Sequence, residues 1–167
     1  MLRDKTLIPL SHQHQHALAL CVRIERASPI AQEDMVAWQA EIVQLVREEI
    51  EIHFAAEENV IFPAARARGE LTALVGELVA EHAALRKWFG MAQDGVMSAT
   101  ELLAFSHGLA AHIRKEERLL FERMQELMSR EELDGIGQKL EQELNAADQA
   151  CIVPNAVTRL QPDKKHS

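Results

Sequence analysis

Two stretches of this chain nearly repeat one another: His53-Phe54-Ala55-Ala56-Glu57-Glu58-Asn59-Val60-Ile61-Phe62-Pro63 and His112-Ile113-Arg114-Lys115-Glu116-Glu117-Arg118-Leu119-Leu120-Phe121-Glu122. In each, a histidine precedes a glutamate by four residues. On a helix that step stacks imidazole and carboxylate on one face, about 6 Å apart along the axis, within reach of one metal ion or a pair of them. The spacing therefore predicts helices at both stretches and a metal site on their inner faces. The fold has to supply the remaining ligands.

Helix is also what the composition favours: seven glycines and five prolines in a chain rich in Ala, Leu, Glu and Gln, with almost no strand-forming runs. A first helix is expected from Leu10 to Ala27, with Leu10, Leu18, Cys21 and Ile24 at helical spacing and His14 in the same stripe. His12 and His16 stand two residues to either side, about 200° around the axis, and read as solvated. Ser28-Pro29 has the form of a helix start, serine as cap and proline at the first position. The second helix then runs to Arg68 with a bend or break at Pro63, and its stripe is Ile42, Val46, Ile50, His53, Glu57, Val60 and Ile61.

The third helix opens near Leu71, ends before Asp94-Gly95, and carries Leu71, Leu74, Leu78, His82, Leu85 and Phe89 inward. Ser98 and Glu101 have capping-box spacing and start a fourth helix, with Leu102, Phe105, Leu109, His112, Glu116, Leu119 and Leu120 inward and His107 on the opposite side. Ser129 and Glu132 repeat the box before a shorter, weaker helix containing Leu133, Ile136, Leu140 and Leu144. Short connections predict an all-α, up-down-up-down four-helix bundle with an additional short C-terminal helix. Residues 1–150 form the domain and 151–167 a polar tail, peripheral or disordered.

A formal charge of -8 without a basic block argues against a nucleic-acid or anionic-membrane surface. Cys21 and Cys151 lie far apart without CxxC spacing, which speaks against a disulfide scaffold or thiolate zinc site and fits a reducing cytoplasm. No apolar run approaches a signal or membrane segment.

The four stripes together carry His14, His53, Glu57, His82, His112 and Glu116. One buried histidine is ordinarily a hydrogen-bonded core residue. Six polar groups at matched positions on four helices need a shared compensation, because each would otherwise cost several kcal/mol. Imidazole and carboxylate suit iron, manganese or zinc. Two histidines per metal place His14 and His53 on one ion and His82 and His112 on the other, with Glu57 and Glu116 between them. Iron would keep positions open for a bridging hydroxide or oxide and for a small exogenous ligand. Glu58 and Glu117 point about 100° away and read as surface or supporting residues rather than ligands. Trp38, Trp88, Met91 and Cys21 read as packed core, whereas the exposure of Cys151 is left open by the sequence.

The string from Pro9-Leu10-Ser11 through His14 to His16-Ala17-Leu18, the two HxxxEE copies and Glu81-His82-Ala83-Ala84-Leu85-Arg86 resemble the hemerythrin-like proteins of the HHE cation-binding domain family, over roughly Leu7 to Met128. The resemblance implies a four-helix bundle with a non-haem di-iron centre, in a family that binds dioxygen and in other members responds to nitric oxide, peroxide or iron. The oxygen carriers of that family have another histidine where this chain has Arg86, and an aspartate after a longer step where it has Glu116, so a more open and symmetric centre is expected. A branch linked to iron-sulfur cluster repair carries a cysteine-containing N-terminal extension, whereas this chain starts almost at its first helix. Ferritin-like oxidases use Glu-x-x-His, the reverse of the order here. The expected activity is binding of dioxygen or sensing of a related small ligand, without an assigned catalytic side chain. Two other readings attach to the same centre: an oxidase or peroxidase-like enzyme, and an iron-sensing module acting on a second copy or another protein.

Overall fold

The computed structural model describes residues 2–145 together with 157 and 158, and among these residues helices are the only regular structure. Helix α1 is Ile8–Arg26. Helix α2 covers residues 35–66 without a break, although its winding alternates between α and π. Helix α3 is Thr72–Gln93, α4 covers residues 99–127, and α5 is Arg130–Asn145. Ser98 and Glu101 make the reciprocal capping box expected of the α4 start. Ser129 and Glu132 do the same before α5, through Ser129 N–H to Glu132 Oε2 at 2.9 Å and Glu132 N–H to Ser129 Oγ at 3.3 Å.

Ser28-Pro29 does not start the second helix. The peptide bond between them is cis, and the chain passes through a 3-10 turn, Gln32–Asp34, before α2 begins at Met35. Nor does Pro63 break α2. Residues Glu57–Ile61 form a π turn in which Phe62 N–H donates to the Glu57 carbonyl, five residues back. Proline then falls in the first turn of the resumed α segment, Phe62–Arg66, where its missing N–H costs little. A matching π turn spans Glu116–Phe121, and a third lies at Val46–Ile50.

The wide turn also corrects the inner stripe of α4. Leu119 is 53 % exposed, while Leu120, Phe121 and Met124 are fully buried. Five residues per hydrogen-bonded step advance the register by one, turning Leu119 out and Phe121 in.

Hydrogen bonds show α1 running in the opposite sense to α2 and to α4. On α1 and α2, Gln13 meets His53 and Arg23 meets Glu41; on α1 and α4, Ser11 meets Glu117 and Cys21 meets Ser106. Glu58 meets His82 across α2 and α3, and Glu81 meets His112 across α3 and α4. Two apolar clusters result: Leu20, Ile24, Trp38, Phe89 and Phe105 belong to one, and Leu7, Leu10, Phe62, Leu78 and Phe121 to the other. Helix α5 seals the second with Leu133, Ile136 and Leu140. Gly137 lets it dock there, since a Cβ at that position would lie 3.3 Å from the Thr6 side chain. Cys151 and nearly all of the tail lie outside the described residues. Thr158 is buried, and its carbonyl accepts from Arg23 Nη1 at 2.8 Å.

Candidate metal centre

Between the two apolar clusters lie His14 from α1, His53 and Glu57 from α2, His82 from α3, and His112 and Glu116 from α4, all buried. They form two overlapping groups, His14, His53, Glu57 and Glu116, and Glu57, His82, His112 and Glu116, each with one donor atom per residue within 4.8 Å of the others. Both glutamates belong to both groups. His14 Nε2 is 3.2 Å from Glu116 Oε2 and His53 Nε2 is 3.3 Å from Glu57 Oε1. In the other half, His82 Nε2 is 3.4 Å from Glu57 Oε2 and His112 Nε2 is 3.3 Å from Glu116 Oε1. The structure thus brings together all six residues singled out in the sequence.

Every Nδ1 faces outward to an acceptor: His14 to Glu117 Oε1 at 2.7 Å, His53 to Gln13 Oε1 at 2.9 Å, His82 to Glu58 Oε1 at 2.8 Å and His112 to Glu81 Oε2 at 2.9 Å. A neutral imidazole has one ring proton, and these acceptors hold it on Nδ1, leaving the Nε2 lone pair to point inward. His14 Nε2 then faces His53 Nε2 at 2.9 Å and His82 Nε2 faces His112 Nε2 at 3.1 Å. Neither oxygen of Glu57 or of Glu116 has a hydrogen-bond partner. Four lone pairs and four carboxylate oxygens therefore converge without a donor hydrogen. Such a set is repulsive by itself and fits cations of nitrogen-and-oxygen preference.

Without a cation, protons are drawn into the same place. Burial works against charging the imidazoles, yet Glu116 and Glu117 hold His14 up at about 9, Glu116 and Glu57 hold His82 at about 9, and the charge of Glu116 holds His112 at about 10. Burial and mutual repulsion oppose ionisation of Glu57, but His53 and His82 keep its carboxyl below the usual range. Glu116 is held well below that range by His112, His14 and His82 in spite of its burial.

Glu58 and Glu117 turn out to support His82 and His14, as one of their two sequence readings allowed. Gln13 and Glu81 were missed. Each immediately precedes a candidate ligand, His14 or His82, but serves a histidine on a neighbouring helix, His53 or His112, so its role depends on packing. His12 is exposed, His16 pairs with Glu49 at 3.0 Å, and His107 lies 3.5 Å from Glu25 on the surface. Cys21 and Trp38 are core, with Trp88 and Met91 packed against them. Burial raises the Cys21 thiol to about 11.

Beside His14, His53, His112 and Glu116 is a cavity of about 20 Å³, walled by Ile50, Phe54, Leu109 and Ile113 and lined also by Gln13 and Glu49. It has room for roughly one water-sized molecule. Among the described residues no helix is long and apolar enough to cross a membrane. No curated protein and no solved structure matches the chain. The family model for the Hemerythrin HHE cation binding domain matches residues 9–124, which contain all six converging residues, and the chain belongs to that cation-binding family.

Proposed function

We propose that the chain is a non-haem di-iron protein that binds dioxygen or senses a related small ligand such as nitric oxide or peroxide. Its bundle is up-down-up-down over residues 1–150, with α5 as the additional C-terminal helix. His14 and His53 would hold one ion and His82 and His112 the other, with Glu57 and Glu116 available to both. The observation that carries this reading is the convergence of four inward Nε2 atoms and four unpartnered carboxylate oxygens in a buried layer. Iron pairs affinity for imidazole and carboxylate with open coordination for a diatomic ligand and a change of oxidation state. Manganese and zinc share the ligand preference, so elemental analysis decides among them.

The protein's own part is to orient and to exclude. Glu117, Gln13, Glu58 and Glu81 fix the four rings by their Nδ1 protons, as outer partners of metal-bound histidines do. Ile50, Phe54, Leu109 and Ile113 keep the neighbouring cavity apolar and admit only a small molecule. The buried Cys21 thiol fits a reducing cytoplasm.

Anaerobic loading with ferrous iron tests both halves of the reading. Two irons per chain are expected, with loss of iron in His53→Ala and Glu116→Ala. An absorption change should follow admission of oxygen, nitric oxide or peroxide, and its reversal on removing the gas marks a carrier. Fewer than two irons overturns the centre, and a spectrum indifferent to all three molecules overturns the ligand assignment.

A further inference from the structure

Three of the four acceptors that hold the histidine Nδ1 protons are carboxylates, and each of these three has its own cation. Arg3 Nη2 lies 2.5 Å from Glu117, Arg86 Nη1 2.7 Å from Glu58, and Lys115 Nζ 2.5 Å from Glu81. The fourth acceptor, Gln13, is an amide and carries no charge. The exception follows the internal repeat of the chain. Gln13 precedes His14 as Glu81 precedes His82, and Ala56 follows His53 by three residues as Lys115 follows His112. At these two matched positions one half has a carboxylate and a cation, and the other has neither.

We propose that Arg3, Arg86 and Lys115 are positioning residues, each offsetting the carboxylate that holds a ring proton as the uncharged Gln13 holds that of His53, so that all four histidines act on the metal pair with similar donor strength. This rests on the di-iron reading above. A bare carboxylate on Nδ1–H pulls an imidazole toward imidazolate, makes it a stronger donor and favours the more oxidised metal. A cation on the same carboxylate withdraws that effect. The geometry is most direct at Glu58, where one oxygen, Oε1, accepts from both His82 Nδ1 and Arg86 Nη1. Arg86 and Arg3 are further fixed over the rings of Phe54 and Phe121, each at 5.2 Å. Arg86 and Lys115 also pair directly with Glu51 at 3.3 Å and Glu77 at 3.0 Å, but these two carboxylates are more exposed than Glu58 and Glu81, so solvent screens their charge more strongly.

The test is the reduction potential of the full chain loaded anaerobically with ferrous iron, with iron content measured on the same samples. Arg86→Gln should lower the potential and Glu58→Gln should raise it. The double variant Arg86→Gln with Glu58→Gln should return close to the unsubstituted protein, and Arg86→Lys should remain there. Gln13→Glu adds a carboxylate without a cation to the opposite half, and should lower the potential in the same direction as Arg86→Gln. A purely structural role for Arg86 would give a double variant no nearer the unsubstituted protein than the singles. That result, or potentials that do not move in variants retaining two irons, overturns the proposal while leaving the di-iron reading intact. An unsubstituted chain that takes up fewer than two irons overturns both.

Discussion

In the di-iron reading, metal and protons compete for the same ring nitrogens of His14, His82 and His112. In the metal-free protein His14 and His82 are raised from 6.5 to about 9 and His112 to about 10, because burial is outweighed by the glutamates around them. For groups raised on folding, the stabilisation is complete below the unfolded value and is lost as pH climbs through the folded one. The metal-free chain should therefore lose melting temperature between pH 6.5 and about 10. Metal on the same nitrogens displaces the protons, so the loaded protein should vary much less over that window. Loading should release protons, most per metal where all three imidazoles are still charged. Calorimetric titrations in buffers of different ionisation enthalpy measure that release, and uptake without proton release would contradict these protonation states.

Along the helices, the widened turns decide what faces the core. A π turn starts at Glu57 and another at Glu116, so each proposed bridging carboxylate opens a wide turn. Such turns are frequent at functional sites because they re-aim side chains that a regular helix would place elsewhere. The register they impose can be checked by urea unfolding. Leu119→Lys should change stability by no more than about 0.5 kcal/mol, whereas Phe121→Ala should cost about 3–5 kcal/mol. An uninterrupted α-helix would make Leu119 the sensitive position, and a large effect there would exclude the wide turn. The same register explains how Pro63 remains within a continuous α2.

At the scale of the molecule, the polar layer is also a seam. One apolar cluster contains Trp38, Phe89 and Phe105, the other Phe62, Leu78 and Phe121, and the six converging residues lie between them. Without cations the seam depends on protons and on hydrogen bonds around its rim. Metal should therefore stabilise the whole bundle, since a ligand that binds only the folded state adds about 2.7 kcal/mol at a free concentration a hundredfold above its Kd. Thermal melts with ferrous iron or zinc should rise with metal concentration, and a chelator should reverse the rise. His53→Ala and Glu116→Ala should abolish the response while remaining helical by circular dichroism. A melting temperature unaffected by metal in the unsubstituted chain would remove the seam from the account of stability.

Much of this protein is local enough to be written in its sequence. Helical periodicity placed His14, His53, Glu57, His82, His112 and Glu116 on inner stripes, and the capping boxes at Ser98 and Ser129 marked two helix starts, because both signals depend on residues within a turn or two of each other. Glu58 and Glu117 were legible only as two alternatives, since an angle around one helix does not say what stands opposite. The role of Gln13 and Glu81, the cations over Glu58, Glu81 and Glu117, and the exposure of Leu119 came only with the tertiary structure. Each of these depends on how helices are packed against one another or on where a turn widens. A stripe read at a constant 100° per residue contains neither quantity.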